Sequence, residues 1–473
     1  MPFFDPIRIG ASGAADTTFS IDRSLRFNSS DSAYLQRTPS SAGNRQICTF
    51  SCWVKRSNLD TTNCLASAYS ANNDNDNISM NLRELGSGNC EFRVTGYFYN
   101  FRVTNRLFRD VSAWYHIVVA FDTTQSSADD RIKIYVNGVQ ETSFSTSGNV
   151  TQNMNIAFND TSVHRIGTQS NALSNYVDGY MAEINFIDGQ QLTPSSFGET
   201  NSDTGQWVPI DTSGLTFGTN GYRLQFADNS GTSATTLGKD TSGNSNNFTP
   251  NNFVTGDVVK DSPTNNFAVL NPLSKSSGVT LGEANLYAQG SSGWRTVVGN
   301  FHMSSGKWYW EIHIKQVGNS IYGILPATRA NGRQDFPADT YTGSYSDEWG
   351  YSAGGTLYNS ASGTSSWGST YTAGDILGFA LDMDNGTLDI KKNGSTTGSQ
   401  ITGISTTKEY RAAFTYYSSG TKSNINFGQD SSFAGEKTAQ GNTDGSGQGD
   451  FYYSPPSGYK ALCSANLPDP TIL

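Results

Sequence analysis

Gly350-Tyr351-Ser352-Ala353-Gly354 matches G-x-S-x-G, the sharp turn that lifts a nucleophilic serine clear of a hydrolase sheet. That turn needs an apolar strand before it and a helix after it. Here SYSDEW precedes and GTLYNS follows, so a catalytic Ser352 is not expected. Hydrolysis of a glycosidic bond needs two carboxylates that flank it. The nearest pair, Glu183 and Asp188, lies five residues apart, which on a strand sends the two to opposite faces, and Asn185 stands where a carboxylate between them would be wanted. Glu183 is expected to be an outward, structural residue and the chain is expected not to be an enzyme.

His116, His164, His302 and His313 show no H-x-H, H-E-x-x-H or cysteine-partner spacing and are expected to be sheet residues. Cys48, Cys52, Cys64, Cys90 and Cys463 form an odd set without a C-x-x-C pair. On a strand Cys48 and Cys52 would share a face about 13 Å apart at ~3.3 Å per residue, too far to bridge. A disulfide scaffold or zinc site is therefore not expected, and reduced thiols fit assembly in a cytoplasm. Calcium wants clustered oxygen ligands. Asp74 and Asp76, in Asn72-Asn73-Asp74-Asn75-Asp76-Asn77, and the pair Asp129 and Asp130 are its candidates, although neither spacing fixes a coordination sphere. No other cofactor is expected. Sugar binding needs exposed aromatic faces beside polar groups. Tyr97, Phe98 and Tyr99, with Trp367 in a Ser/Gly-rich stretch, are the candidates, whereas Trp53, Trp114, Trp308 and Trp310 lie in strand patterns and belong in cores.

The elements that must carry these residues are strands. Among the 473 residues, 49 are glycine, aromatic residues reach 12% and charged residues only 15%, which suits many short strands joined by turns. No long stretch shows helical apolar spacing, so the fold class is all-β: two tandem antiparallel β-sandwiches with extended terminal segments. YHIVVAFD followed by RIKIYVNGVQ reads as a hairpin turning at Asn137-Gly138, and residues 374–394 as a second one, with a tight two-residue turn at Asn385-Gly386. In GYMAEINFIDGQ, Tyr180, Ala182, Ile184 and Phe186 alternate with Met181, Glu183, Asn185 and Ile187. In SGKWYWEIHIK, Trp308, Trp310, Ile312 and Ile314 share one face, with Tyr309, Glu311, His313 and Lys315 on the other.

The net charge of −10 argues against nucleic acid, which needs a concentrated basic face. Arg83, Arg93, Arg102, Arg106 and Arg109 are interleaved with Glu84, Glu91 and Asp110 and read as a solvated strand face. No segment is long enough to span a membrane. The stretch MPFFDPIRIGASGAAD has neither the basic nor the long apolar region of a secretory signal, so release inside a particle by lysis is one expected route.

Five segments are expected: an extended arm over 1–22, a sandwich over 23–210, an ordered connector with an extra hairpin over 211–270, a second sandwich over 271–430 and an extended segment over 431–473. In the first sandwich, SLRF…YL, F…WVK, WYH…FD, IYVNG and G…AEI…F occur in that order, and this series resembles the laminin-G-like, concanavalin A-like jelly roll. KDTSGNSNNF is similar to a D-x-S-G-N-x-N phrase of the same family, here following the domain instead of opening it. SSGWRTVVG, SGKWYWEIHIK, EWGYSAGGTLYN, residues 374–394 and YRAAF…INFG together resemble a SPRY domain. The first resemblance adds weight to calcium. The second implies binding of protein or peptide partners through loops at one end, without catalysis. With the ending PSGYKALCSANLPDPTI, the whole resembles a group of proteins from tailed phages.

That resemblance implies a structural virion component: a tail fibre, a tail-associated protein or a capsid appendage. Its partners would be other virion proteins, further copies of itself, with trimers frequent in such parts, and a host-surface glycan or protein. In that reading the arm and the carboxyl-terminal stretch dock onto neighbours. A free lectin or adhesin, and a polysaccharide-degrading enzyme, are the alternatives.

Overall fold

A computed structural model describes residues 19–71, 73, 76–86, 88–148, 150–328 and 340–468. Its regular structure is strands and three-residue 3-10 turns; the described residues include no α-helix. They fall into two compact units, the first ending at Asn265 and the second beginning at Asn266. Most of the expected amino-terminal arm, residues 1–18, lies outside the described residues.

The first unit has two eight-stranded antiparallel sheets. One centres on Ile47–Arg56, flanked by Tyr115–Asp122 and Gly179–Asp188. The other runs through the meander Asn63–Tyr69, Asn77–Glu84, Cys90–Thr95 and Asn100–Leu107. Their inward residues, among them Phe50, Cys52, Ile117 and Val119 from one sheet and Met80, Leu82, Phe92 and Val94 from the other, form one buried core. Such interdigitation of alternate side chains is what holds two sheets face to face. The hairpin at Asn137-Gly138 has the expected two-residue turn: Val136 pairs Val139, with φ of 48° and 81° at the two turn residues.

The alternation read along Gly179–Asp188 breaks in the middle. The pairing with Ile47–Arg56 shifts register between Ala182 and Asn185, and Glu183 has a φ of 43°. This bulge puts Met181, Ile184 and Phe186 into the core, where unbroken period two would have put Ala182 beside the last two.

Residues 211–265 complete the first unit. Tyr222–Leu224 pairs Gly179–Asp188, Thr249–Asn251 pairs Tyr34–Arg37, and Val258–Val259 pairs Ser24–Phe27, so the stretch expected as a connector adds strands to both sheets. The D-x-S-G-N-x-N phrase has a structural task here. Buried Asp240 accepts the N–H groups of Arg223 at 2.9 Å, Ser242 at 2.8 Å and Asn246 at 2.8 Å, and Asn246 Nδ2 donates to the Gly221 carbonyl at 2.8 Å. One carboxylate thereby pins a long polar loop.

The second unit also stacks a seven-stranded and an eight-stranded sheet. Lys307–Gln316 pairs Ile376–Asp382 on one side and Lys422–Asn426 on the other. Trp308, Trp310, Ile312 and Ile314 face the main core as their spacing predicts, and the Trp310 ring stacks on Phe379 with centroids 5.3 Å apart. The opposite face is covered as well. Tyr309 packs with Phe267, Phe451, Ala461 and Cys463, and Lys460–Ala461 pairs in parallel with Trp308 and Tyr309. The carboxyl-terminal stretch thus lies along the surface of its own unit, with Phe451, Ala461 and Cys463 packed against the sheet and Lys460–Ala461 as a short added strand. The 374–394 hairpin differs from its two-residue expectation. Asp382 pairs Thr387, which leaves a four-residue loop from Met383 to Gly386, and the Asp382 carboxylate holds it by accepting from the N–H groups of Asp384 and Asn385, each at 3.0 Å.

Candidate functional site

In the first unit, Thr95 pairs Asn100, so Gly96 to Tyr99 form the tip of a hairpin, closed by the Gly96 N–H donating to the Tyr99 carbonyl at 2.8 Å. Core-facing positions end at Val94, and the tip residues project beyond the sheet. Tyr97, Phe98 and Tyr99 are 41%, 66% and 67% exposed, and the Tyr97 and Phe98 rings meet edge to face at 4.7 Å. Three neighbouring aromatic rings at a sheet's end offer apolar faces with hydroxyl edges, the chemistry that sugars and peptides both use.

Trp367 is placed differently. Its ring packs against Tyr351 at 5.4 Å and lies over Gly398, where a Cβ would come within 2.6 Å of it. A glycine facing the ring turns this loop tryptophan into the edge of the core, half-buried.

The second unit carries an aromatic cluster that the sequence reading did not single out. Trp294 meets Tyr341 at 4.8 Å and Tyr417 at 4.7 Å, and Tyr341 meets Tyr358 at 5.3 Å. Tyr417 is exposed and the other three are half-buried. They come from four separate places in the chain. Trp294 in SSGWRTVVG stands in the same Ser/Gly-rich setting that drew attention to Trp367, and was the one available signal.

Among the described residues the candidate cation ligands do not gather. Asp76 pairs with Arg45 at 3.1 Å and accepts from Asn73 Nδ2 at 2.9 Å. Asp129, with its side chain 86% exposed, pairs with Arg102 at 3.2 Å, and Asp130 with Lys133 at 3.1 Å. Among the described residues no three His, Cys, Asp or Glu side chains are grouped to hold a metal ion. Asp74 lies outside the described residues. The arginine stretch is no uniform solvated face: Arg102 is buried and donates to the carbonyls of Gly148 and Ala128, while Arg83 and Arg106 pair with Glu91 and Glu141.

Glu183 does not point into solvent as expected. It is buried, accepts from Thr212 Oγ1 at 2.8 Å and forms an ion pair with Arg223, because residues 211–224 cover the sheet face on which it lies. Burial raises its carboxyl above the ordinary value, with Arg223 opposing. Ser352 ends the strand Trp349–Ser352 and its Oγ accepts from the Thr356 N–H at 3.2 Å, with a turn and another strand following. His116, His164 and His313 lie in strands, but His302 is in a loop, 3.0 Å from Glu409. Buried His116 accepts from Trp207 Nε1 at 2.9 Å and bonds Ser51 Oγ at 2.8 Å; burial pushes its pKa down to about 3. The five cysteines are buried, and burial pushes the Cys64 thiol up to about 12.

The family model described as the concanavalin A-like lectin/glucanases superfamily matches residues 28–196, and the SPRY domain model matches residues 307–430. The chain carries a concanavalin A-like domain followed by a SPRY domain. Among solved structures, the SPRY domain of human HERC1 is 23% identical, covering 33% of this chain and 96% of its own, with a TM-score of 0.28. A human SPRY domain is 20% identical, covering 32% and 94%, with a TM-score of 0.25. The PSpry domain of TRIM65 is 14% identical, covering 34% and 88%, with a TM-score of 0.29. No curated protein matches. The aromatic tip thus belongs to the concanavalin A-like domain and the four-ring cluster to the SPRY unit.

Proposed function

We propose that the chain is a non-enzymatic binding component of a phage particle, which contacts a host-surface glycan through the concanavalin A-like domain. The observation that carries the binding is the exposed Tyr97-Phe98-Tyr99 tip, since a monomeric surface seldom holds three adjacent exposed rings without an interaction to serve. The particle assignment is supported by the resemblance in domain order and carboxyl-terminal phrase to tailed-phage proteins. In this reading the protein assembles in a host cytoplasm, sits among other virion proteins and forms a homo-oligomer. Docking onto those neighbours falls to side chains other than Phe451, Ala461 and Cys463, which are buried within the SPRY unit.

A glycan array probed with the full chain, with and without calcium, tests the binding. Binding that Phe98→Ala removes supports it, and silence under both conditions refutes it. A protein inventory of purified particles tests the assignment, which falls if the chain is absent from them.

A second reading, a protein partner bound by the SPRY unit, is favoured by the Trp294, Tyr341, Tyr358 and Tyr417 cluster. Trp294→Ala would then abolish capture of particle or host protein while leaving the glycan array unchanged.

A further inference from the structure

We propose that the row of rings Tyr417, Trp294, Tyr341 and Tyr358 in the SPRY unit binds a proline-rich partner segment in the polyproline II conformation. This rests on the second reading above, a protein partner for this unit, and names the chemistry of that partner.

The backbone fixes the row. Arg295 pairs Tyr416 across neighbouring strands, so Trp294 and Tyr417 stand opposite each other where the two strands end. The Tyr417 N–H donates to the Asn319 carbonyl at 2.9 Å. Tyr341 opens a turn closed by Ser344, whose N–H donates to the Tyr341 carbonyl at 3.0 Å and whose Oγ accepts from the Tyr341 N–H at 2.9 Å. Gly343, at a φ of 100°, lets that turn lie on Tyr358, since a Cβ there would come within 2.7 Å of the Tyr358 side chain.

Among the described residues, ring contacts join each member of the row only to the next, at 4.7, 4.8 and 5.3 Å, with interplanar angles of 57°, 43° and 73°. Rings tilted in this way leave notches between them instead of one flat platform. A pyrrolidine ring fits such a notch, and aromatic-lined grooves are a general means of holding proline-rich segments.

The polar edges make the same choice. Among the described residues the Trp294 indole N–H and the hydroxyls of Tyr341, Tyr358 and Tyr417 have no hydrogen-bond partner, and none of the four is sealed in the interior. By contrast, Trp308 Nε1 donates to the Ser305 carbonyl at 2.7 Å and the Tyr371 hydroxyl to the Ser320 carbonyl at 2.8 Å. Four open donors in one row suit a ligand rich in acceptors. A polyproline II chain is such a ligand, because its carbonyls have no internal partner and proline has no N–H of its own. No side chain of the row is charged, so binding owes nothing to ion pairing.

The full chain is titrated into fluorescently labelled decaproline, with a Gly-Ser peptide of equal length as control, and followed by fluorescence polarisation. The expected result is saturable binding of decaproline alone, insensitive to salt and weakened about tenfold or more by Trp294→Ala. Trp294→Phe and Tyr417→Phe, which keep a ring and remove only the donor, should each weaken it about three- to tenfold, with an unchanged melting temperature verifying that both are folded. The proposal is overturned if decaproline does not bind, if the Gly-Ser peptide binds as well, or if the Trp294 and Tyr417 variants bind like the parent. If decaproline fails while Trp294→Ala still abolishes protein capture, the partner reading stands and its proline chemistry falls.

Discussion

Lys55 Nζ lies 2.7 Å from Asp261 Oδ2 with both side chains fully buried, and Trp114 Nε1 donates to the other Asp261 oxygen at 3.1 Å. The pair joins the strand Ile47–Arg56 to the last residues of the first unit. It shows how the segment after the family-matched stretch is fastened to the sandwich.

Removing one member of a buried ion pair strands the other charge in a medium that cannot solvate it. Asp261→Ala is expected to destabilise the concanavalin A-like unit by about 3–5 kcal/mol. Replacing both residues, as Lys55→Met with Asp261→Leu, should recover much of that loss. Urea unfolding of the two variants measures the difference; equal losses would mean that the pair does not act as a unit.

Glu311 supplies a pH dependence. Its carboxylate accepts the N–H groups of Tyr453 at 2.7 Å and Tyr452 at 2.8 Å, Asn426 Nδ2 at 3.2 Å and the Tyr309 hydroxyl at 3.2 Å. Burial nevertheless lifts its pKa from 4.5 to about 7, with the two N–H bonds opposing. A carboxyl whose pKa is raised by folding keeps its proton better in the folded state, so its contribution is complete below 4.5 and is lost as pH rises to about 7. Urea titrations across that window should show the parent losing stability relative to Glu311→Gln as pH rises. A constant gap would sink the assignment.

Trp310 tests the main core of the SPRY unit. Its ring is fully buried and stacked on Phe379, so Trp310→Ala should cost about 3–5 kcal/mol through lost burial and a residual cavity. Trp294→Ala, at a half-buried ring outside that core, should cost clearly less. Thermal melts of the two variants decide whether the clusters divide into core and surface as described.

Phe98→Ala should leave stability within about 0.5 kcal/mol, as expected for a surface position away from buried networks. Loss of glycan binding with an unchanged melting temperature would separate recognition from folding at the tip. A large fall in melting temperature would make Phe98 a packing residue.

Strand identity and sheet face were legible in local pattern. Trp308, Trp310, Ile312 and Ile314 recur every second residue, which forces them to one side of a pleated strand, and Asn137-Gly138 supplies the two left-handed residues of its turn. The exposed aromatic tip was legible for the same reason: three rings between two strands have no face to hide in. What lies over a strand's second face is not a local property. Glu311 and Tyr309 become buried because residues 451–463 return from far along the chain, and Glu183 because residues 211–224 do. Trp367 is half-buried because Gly398, thirty-one positions later, has no Cβ to keep its ring away. Where no bulge interrupts it, as one does at Glu183, alternation fixes where a side chain points, whereas burial depends on which distant segment arrives there, and only the folded chain brings those segments together.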